Sequence, residues 1–289
     1  MGLVMMQPSA AFQTGVRVSF VFALCGFLLA LFSGLAHAKT GSRCLALADG
    51  RNPAGNLRIV PVSLKADEVQ ITYVTHSTFR IVTPQGLNIA TDYAGFAGAG
   101  PLPDVVTMNH AHETHFTYFP DPKIKHVLRG WNPAGGPAEH HLKVLDTLIR
   151  NVPTDIRTWD GGREADGNSI FIFEVAGLCI GHLGHLHHEL APDDLAHIGQ
   201  LDIVFAPVDG SFTLDLPNMV KTLKVLRASI VIPMHAFGPA SLQQFVEGMG
   251  ADFAVEYSDK PTVVVRASDL PVRPKILVLP EGSVGFSWD

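Results

Sequence analysis

Histidines are concentrated in one short segment of the chain, MNHAHETHF at residues 108–116. This segment places His110, His112 and His115 directly after the apolar run DVVTM. Loops that leave the carboxyl end of a strand are where α/β folds place functional side chains. If the backbone stays extended from His110 to His112, both rings point the same way, and a following turn returns His115 toward them. Three converging imidazoles suit zinc or a similar divalent ion.

Two further histidine clusters also follow predicted strands. The segment GLCIGHLGHLHHEL contains His182 and His185, and the apolar run in SIVIPMHAFG ends at His235. One such histidine alone would be interpreted as a hydrogen-bonded core residue. Three clusters at strand ends favour a metal site, whereas the alternative is a stabilising network of histidines without metal. Metal analysis of the purified protein distinguishes these two interpretations.

The order of the predicted elements indicates how the clusters are positioned. Short β runs separated by turn residues begin near residue 57, and they are LRIVPV, VQITYV, TFRIVT, LNIATD, DVVTM, KHVL, SIFIFEV and GLCIGH. Later, LPNMVKTLKVLRA and PASLQQFVEGMG predict helices, the first with Met219, Leu223 and Leu226 on one face. This mixture predicts an α+β fold of two mixed sheets with outer helices, rather than a doubly wound parallel sheet.

The amino-terminal segment has the composition of a secretory signal peptide. Arg17 precedes an apolar run over residues 18–35, and the sequence AHA at 36–38 provides a small-x-small exit. We therefore expect residues 1–38 to be cleaved and residues 39–289 to form a single domain in the periplasm or outside the cell. An uncleaved membrane anchor is the alternative, because the apolar run is close to the length that spans a bilayer.

Composition limits the expected partners. The 289-residue chain carries a formal net charge of −6, and it has no Lys/Arg cluster to attract nucleic acid or an anionic membrane. We expect a small-molecule substrate and no stable membrane insertion after cleavage. Cys44 and Cys179 remain after cleavage, and the sequence leaves open whether they are bonded. It also leaves the oligomeric state open.

An ordered set of motifs resembles the metallo-β-lactamase fold, and more closely its ascorbate-6-phosphate lactonase-like branch. The motifs are ITYVTHSTFRI (71–81), LNIATDY (87–93), PDVVTMNHAHETH (103–115), GLCIGHLGHLHH (177–188), LDIVFAPVDGSFTL (201–214) and IVIPMH (230–235). The resemblance implies an αββα four-layer sandwich with the metal at one edge. It implies the metal ligands His110, His112, His115, His185 and His235, with His76, Asp92 and His182 behind them.

This chain departs from the family pattern at the acidic ligands. Thr114 stands in place of the motif aspartate, and His185 stands in place of the bridging aspartate. Without bridging carboxylates, two dications at roughly 3.5–4 Å would repel strongly, so we expect one ion. Zinc is the expected metal, with Mn²⁺ and Fe²⁺ as alternatives. Glu113, Asp209 and Asp160 are the candidate general bases, although Glu113 also fits a solvated loop charge and Asp209 a turn residue.

Two functions from different classes follow from this sequence. A metal-activated water would make the protein an exported hydrolase of a small ester, lactone or phosphoester. The replaced aspartates favour instead a non-hydrolytic metal-binding or accessory protein on the same scaffold, because a fold alone does not establish an activity. Turnover across a panel of esters and phosphodiesters separates the two.

Overall fold

The structure is a computed structural model that describes residues 41–45, 64–158 and 160–282. The predicted signal peptide at 1–38 and the predicted strand LRIVPV lie outside the described residues. Within those ranges, no helix is long and apolar enough to cross a membrane.

Fourteen strands, counted over the described residues, form two sheets. They are β1 (Glu68–Thr75), β2 (Thr78–Val82), β3 (Asn88–Ala90), β4 (Val105–Met108), β5 (His126–Arg129), β6 (His141–Val144), β7 (Thr147–Arg157), β8 (Arg163–Val175), β9 (Leu178–His182), β10 (Ile203–Pro207), β11 (Ile230–Met234), β12 (Ala254–Tyr257), β13 (Thr262–Arg266) and β14 (Lys275–Val278). One sheet has the order β13-β1-β2-β3-β4-β5, and the other has the order β12-β14-β11-β10-β9-β8-β7-β6. Each sheet contains parallel and antiparallel pairs, so the predicted pair of mixed sheets is confirmed.

Helices are few in the described part of the chain. They are α1 (Pro192–Ile198), α2 (Leu216–Leu226) and α3 (Pro239–Met249), with a short 3₁₀ helix at Ala267–Asp269. Helices α2 and α3 match the two predicted from periodicity, and α1 was not predicted. Met219, Leu223 and Leu226 of α2 are all buried, as the helical face predicts.

Apolar side chains from both sheets form the main core. Alternate residues of β1, namely Val69, Ile71 and Tyr73, point into it, where Phe205 of the other sheet also lies. The five residues of β10 and of β11 are buried throughout, because this core lies on one side and α2 and α3 cover the other.

The two outer faces are covered in different ways. Residues of α2 and α3 pack on the eight-stranded sheet, for example Leu223 and Phe245 against Val231. The outer face of the six-stranded sheet is covered by loop residues such as Tyr93 and Phe116. In the described ranges, therefore, outer helices lie on one sheet rather than on both.

Within each sheet, the strands that precede the predicted site loops run parallel to their neighbours. β4 is parallel to β3 and β5, and β10 is parallel to β9 and β11. The loops after β4, β9, β10 and β11 therefore leave from carboxyl ends, where α/β sheets bind ligands.

A disulfide joins Cys44 to Cys179 of β9, with Cα atoms 6.0 Å apart. The two residues are 135 positions apart in the chain, so the bond ties residues 41–45 to the eight-stranded sheet. The backbone N–H of Arg43 also donates to the Glu174 carboxylate on β8 at 2.7 Å. The Ser42 hydroxyl donates to the same carboxylate, and the backbone N–H of Gln200 donates to the carbonyl oxygen of Cys44 at 3.1 Å. This segment is consequently held by the disulfide and by several hydrogen bonds.

Candidate metal centre

Four histidine side chains from separate parts of the chain meet at the strand ends. His76, His112, His115 and His235 each offer a ring nitrogen, and these nitrogens all lie within 4.8 Å of one another. His76 lies in the turn between β1 and β2, two others follow β4, and His235 follows β11. Such a convergence of nitrogen donors is the geometry that a structural or catalytic zinc site requires.

His185, in the loop after β9, extends this set to a group of five imidazoles, called the histidine group below. Its Nε2 atom lies 2.9 Å from Nε2 of His112. Its ring centroid lies 4.6 Å from that of His115 and 5.0 Å from that of His235. His185, His115 and His235 are buried, whereas His76 and His112 are only half-buried, so the group is open to solvent on their side.

The backbone is in the left-handed region at two positions of the group. The φ angle is 47° at His76 and 54° at His235. This conformation costs a non-glycine residue about 1–3 kcal/mol, and such strain is concentrated at functional sites. The two positions support each other, because the backbone N–H of His235 donates to the carbonyl oxygen of His76 at 2.8 Å. The hydroxyl of Tyr73 donates to the same oxygen at 2.7 Å.

Oxygen atoms lie beside the Nδ1 atoms of three of the rings. The pairs are His112 with Thr114 Oγ1 at 2.7 Å, His115 with Asp92 Oδ2 at 2.6 Å, and His235 with Asp209 Oδ1 at 3.2 Å. The last pair is an electrostatic contact, because its geometry does not meet that of a hydrogen bond. An ionised carboxylate only accepts, so it favours the proton of a neutral imidazole on Nδ1 and leaves the Nε2 lone pair free.

Several ring nitrogens in the group are buried without a hydrogen bond. Over the described residues, the Nε2 atoms of His76, His115 and His235 have no partner. Buried polar atoms are normally paired, and an unpaired one costs about 1–3 kcal/mol. A divalent ion that accepted their lone pairs would satisfy them together. The residues present therefore fit the metal that the sequence predicts.

Burial favours the neutral form of four imidazoles of the group. Burial is the largest cause that lowers the pKa of His76 to about 3, and the neighbouring His235 and His112 rings contribute to the same shift. Burial likewise lowers the pKa of His112, and it lowers those of His115 and His185 well below the ordinary value. Because neutral imidazole is the form that binds metals, these shifts favour metal binding by His76, His112 and His115 at neutral pH.

His185 is held by a second histidine rather than by an oxygen atom. Its Nδ1 lies 3.0 Å from Nε2 of His187, and the backbone N–H of Arg157 donates to Nδ1 of His187 at 2.8 Å. Neutral His187 must then carry its proton on Nε2 and donate it to His185. His185 in turn carries its proton on Nε2 and donates it to Nε2 of His112, so a metal that binds this nitrogen of His112 must displace the hydrogen bond from His185. In its neutral form His185 therefore presents a donor to the site, and not the lone pair of a ligand.

Asp92 and His182, which the sequence placed behind the ligands, both lie there. Asp92 holds His115, as described. Nε2 of His182 donates to the carbonyl oxygen of Ser77 at 2.8 Å, and its Nδ1 accepts from the backbone N–H of Gly184 at 3.0 Å. Both nitrogens of His182 are thus used by the backbone, and neither is available to a metal.

His110 is not part of the histidine group, which differs from the prediction. Its Nδ1 pairs with Glu164 Oε1 at 2.8 Å, and its ring stacks on Trp131 with centroids 4.9 Å apart. The prediction assumed an extended backbone up to His112. The chain instead bends from His110 onward and closes a turn in which the backbone N–H of His115 donates to the carbonyl oxygen of His112 at 2.9 Å.

His76 also differs from its predicted position, because it lies in the histidine group rather than behind it. The family resemblance placed it in a supporting role. Its position in the tight turn THST between two predicted strands was the available signal that its ring projects from a sheet edge.

The candidate general bases have different surroundings, and Asp160 is exposed. Glu113 is exposed on the loop beside His112. Asp209 accepts from the backbone N–H groups of Ser211 and Phe212, at 2.8 and 2.5 Å, and from the hydroxyl of Thr213. Burial raises the pKa of Asp209, but hydrogen bonds and the adjacent His235 lower it by more, so its net pKa is below the ordinary value. Asp209 therefore organises its turn and is a poor proton acceptor.

Comparisons with known proteins identify the family of the chain. Residues 70–235 match the model of the beta-lactamase superfamily domain. A UPF0173 metal-dependent hydrolase of Carboxydothermus hydrogenoformans is 32% identical over 65 residues, which cover 22% of this chain and 29% of that relative. The alignment thus spans less than a third of the relative's length.

Solved structures share the fold at low sequence identity. A structure from Thermotoga maritima, described as a Zn-dependent hydrolase of the metallo-β-lactamase superfamily, has a TM-score of 0.54 at 23% identity, covering 73% of this chain and 98% of that one. A structure from Parabacteroides distasonis, described as a metal-dependent hydrolase, has a TM-score of 0.50 at 16% identity, covering 63% and 88%. A CmlA β-hydroxylase variant has a TM-score of 0.50 at 12% identity, covering 71% and 55%. Because the family match spans more than half of its residues, the chain belongs to the beta-lactamase superfamily.

Proposed function

We propose that the protein is an exported metal-dependent hydrolase of a small ester, lactone or phosphoester, with one ion held by His76, His112, His115 and His235. The observation that supports this proposal is the convergence of four imidazole nitrogens within 4.8 Å, three of them buried without a hydrogen bond. Zinc is the proposed metal, with Mn²⁺ or Fe²⁺ as alternatives.

In the proposed reaction the ion and the side chains of the protein have different roles. A divalent ion in this site supplies Lewis acidity toward a carbonyl or phosphoryl oxygen and lowers the pKa of a coordinated water. Asp92 keeps His115 oriented toward the ion, and the half-buried His76 and His112 leave one side open to a substrate. Glu113, which is exposed and follows His112 in the chain, is the carboxylate that we assign to proton transfer, because Asp209 is occupied by its own turn.

The charges of the group support a single ion. Thr114, in place of the motif aspartate, contacts Nδ1 of His112 and so supports a ligand rather than acting as one. His185, in place of the bridging aspartate, is neutral. Without a bridging carboxylate, two dications would repel each other strongly at the short separation of a two-metal site.

Export and the finer family branch are parts of the same proposal. The signal-like composition of residues 1–38 supports export, and so does the Cys44–Cys179 disulfide, because such bonds persist in oxidising compartments. The motif ITYVTHSTFRI, which contains His76, supports a place near the ascorbate-6-phosphate lactonase-like branch.

The second candidate is a non-hydrolytic metal-binding or accessory protein. The absence of acidic ligands from the four-histidine set favours it. The fold also carries other chemistry, since a protein described as a β-hydroxylase shares it with a TM-score of 0.50.

Metal analysis tests the centre itself. We expect one equivalent of a divalent transition metal in the purified protein. We expect two equivalents in His185→Asp, which restores a carboxylate in the bridging position. Two equivalents in the wild type would contradict the single-ion proposal, and none after incubation with zinc would leave the histidines as a polar network.

Turnover tests the reaction. Nitrophenyl esters, simple lactones and bis(nitrophenyl) phosphate form a suitable panel for the zinc-loaded protein. We expect His115→Ala to abolish turnover of the substrate that is cleaved, and His126→Ala, a histidine on β5 outside the group, to preserve it. Bound metal without turnover across the whole panel would favour the non-hydrolytic candidate.

A further inference from the structure

Two exposed phenylalanines continue the open side of the histidine group. Phe237 is 56% exposed and Phe212 is 47% exposed. Their rings pack edge to face with centroids 5.5 Å apart. The ring centroid of Phe237 also lies 5.0 Å from that of His235 and 5.9 Å from that of His76. An apolar surface therefore begins at the nitrogen donors and extends into solvent.

The backbone that carries Phe212 is firmly held. Asp209 accepts from its backbone N–H, as described above. The guanidinium of Arg157 donates to the carbonyl oxygens of Ser211, Phe212 and Thr213, at 2.8, 3.0 and 3.2 Å. Because the loop is fixed at both its N–H and its carbonyl groups, the exposure of Phe212 is a constant feature of the surface. Large apolar side chains held in water beside a polar site are typical of ligand-binding surfaces.

We propose that Phe212 and Phe237 bind an aryl or similarly flat apolar group of the substrate, next to the metal. This inference rests on the proposed function, because the reacting group of the same molecule must reach the histidine group. Phenyl rings are stabilised by stacked or edge-to-face contact with another ring, in addition to the burial of apolar area. Compact polar phosphoesters would gain nothing from this surface, so aryl esters and lactones with apolar substituents are favoured.

Two hydroxamates that differ only in the relevant group provide the test. Acetohydroxamate and benzohydroxamate offer the same metal-binding atoms, and only the second carries a phenyl ring. Isothermal titration of the zinc-loaded protein should give about tenfold tighter binding of benzohydroxamate. Phe237→Ala should reduce that preference to within about twofold, and Phe237→Leu should retain part of it. Tyr257→Ala, which removes an aromatic side chain 66% exposed on β12, should leave the preference unchanged.

The outcomes separate this inference from the proposed function. Equal binding of the two hydroxamates, or a preference that survives in Phe237→Ala, overturns the aromatic surface and leaves the metal centre intact. Failure of both hydroxamates to bind the zinc-loaded protein overturns the open metal centre and the aromatic surface together. Zinc content is measured in the same samples. If Phe237→Ala loses zinc, Phe212→Ala carries the comparison, because the Phe212 ring packs on Phe237 rather than on a histidine.

Discussion

Asp92 Oδ2 lies 2.6 Å from Nδ1 of His115, and both side chains are fully buried. The other carboxylate oxygen accepts from the side-chain amide of Asn109 at 2.7 Å. Because the carboxylate is held on both sides, it fixes the direction of the His115 ring and of its Nε2 atom. Burial raises the pKa of Asp92, and the nearby His182 ring and the hydrogen bond from Asn109 partly offset this effect.

Asp92→Asn should weaken metal binding without removing any metal ligand. An amide can still occupy the space, but it no longer stabilises the Nδ1–H form of His115. We expect a 10–100-fold lower zinc affinity, measured by competition with a chromophoric chelator, as is typical for loss of a partner behind a metal ligand. Asp104→Asn is the matched control, because Asp104 is a half-buried carboxylate that pairs with Lys125 away from the histidine group, and this variant should bind zinc as the wild type does. Unchanged affinity in Asp92→Asn would show that the pair has only a structural role.

The contact between His185 and His187 predicts a specific tautomer. In the metal-free protein, both rings should carry the proton on Nε2, because the Arg157 backbone N–H occupies Nδ1 of His187. Nitrogen-15 chemical shifts of the imidazoles report this directly. In His187→Ala the constraint on His185 is lost, and its two nitrogens should show averaged shifts. A His185 proton on Nδ1 in the wild type would return His185 to the set of potential ligands.

His110→Ala distinguishes the structure from the sequence motif. The ring contacts Glu164 and Trp131 and lies outside the histidine group, so the variant should keep one equivalent of zinc. His112→Ala should lose most of it, because one of four nitrogen donors is removed. Zinc analysis of the two variants after the same dialysis gives the answer. Equal zinc loss in both would support the motif-based assignment of His110 as a ligand.

The metal-free protein should lose stability as the pH falls below 6.5. Folding lowers the pKa of His76 to about 3 and that of His187 to about 4, chiefly by burial. The unfolded chain therefore binds more protons between these values and 6.5, so stability is complete above 6.5 and declines below it. Each imidazole that stays neutral contributes about 1.4 kcal/mol per pH unit within its window. Urea unfolding at pH 7.5, 6 and 5 measures the slope.

A variant isolates the contribution of the histidine group to this pH dependence. His76→Asn keeps a residue that tolerates the left-handed backbone and removes the imidazole. Its stability should fall less between pH 6.5 and 5 than that of the wild type. Identical slopes would assign the pH dependence to other groups.

Features that depend on residues close together in the chain could be predicted from the sequence, and features that depend on distant residues could not. The buried face of α2 follows from the spacing of Met219, Leu223 and Leu226, and the two sheets follow from short apolar runs. The pairing of Cys44 with Cys179 remained open because the two residues are 135 positions apart and only the folded sheet brings them together.

The prediction of the site was limited by backbone geometry. Alternation along a strand placed His110 beside His112, but the strand ends at Met108 and the bend reverses that expectation. The tautomer of His185 depends on a backbone N–H in β7, which no spacing between histidines reveals. The position of His76 in the histidine group depends on its φ angle and on its backbone hydrogen bond with His235, which the sequence does not reveal.

The donors of the proposed site come from both sheets. His76, His112 and His115 adjoin strands of the six-stranded sheet, whereas His235 follows β11 of the eight-stranded sheet. An ion bound by all four histidines would link the two sheets, because neither sheet alone supplies the complete set of donors. If the ion binds only the folded protein, it would add about 2.7 kcal/mol to the free energy of unfolding at a free metal concentration one hundred times Kd. The free metal concentration in the surrounding compartment would then set part of the free energy of unfolding of the protein.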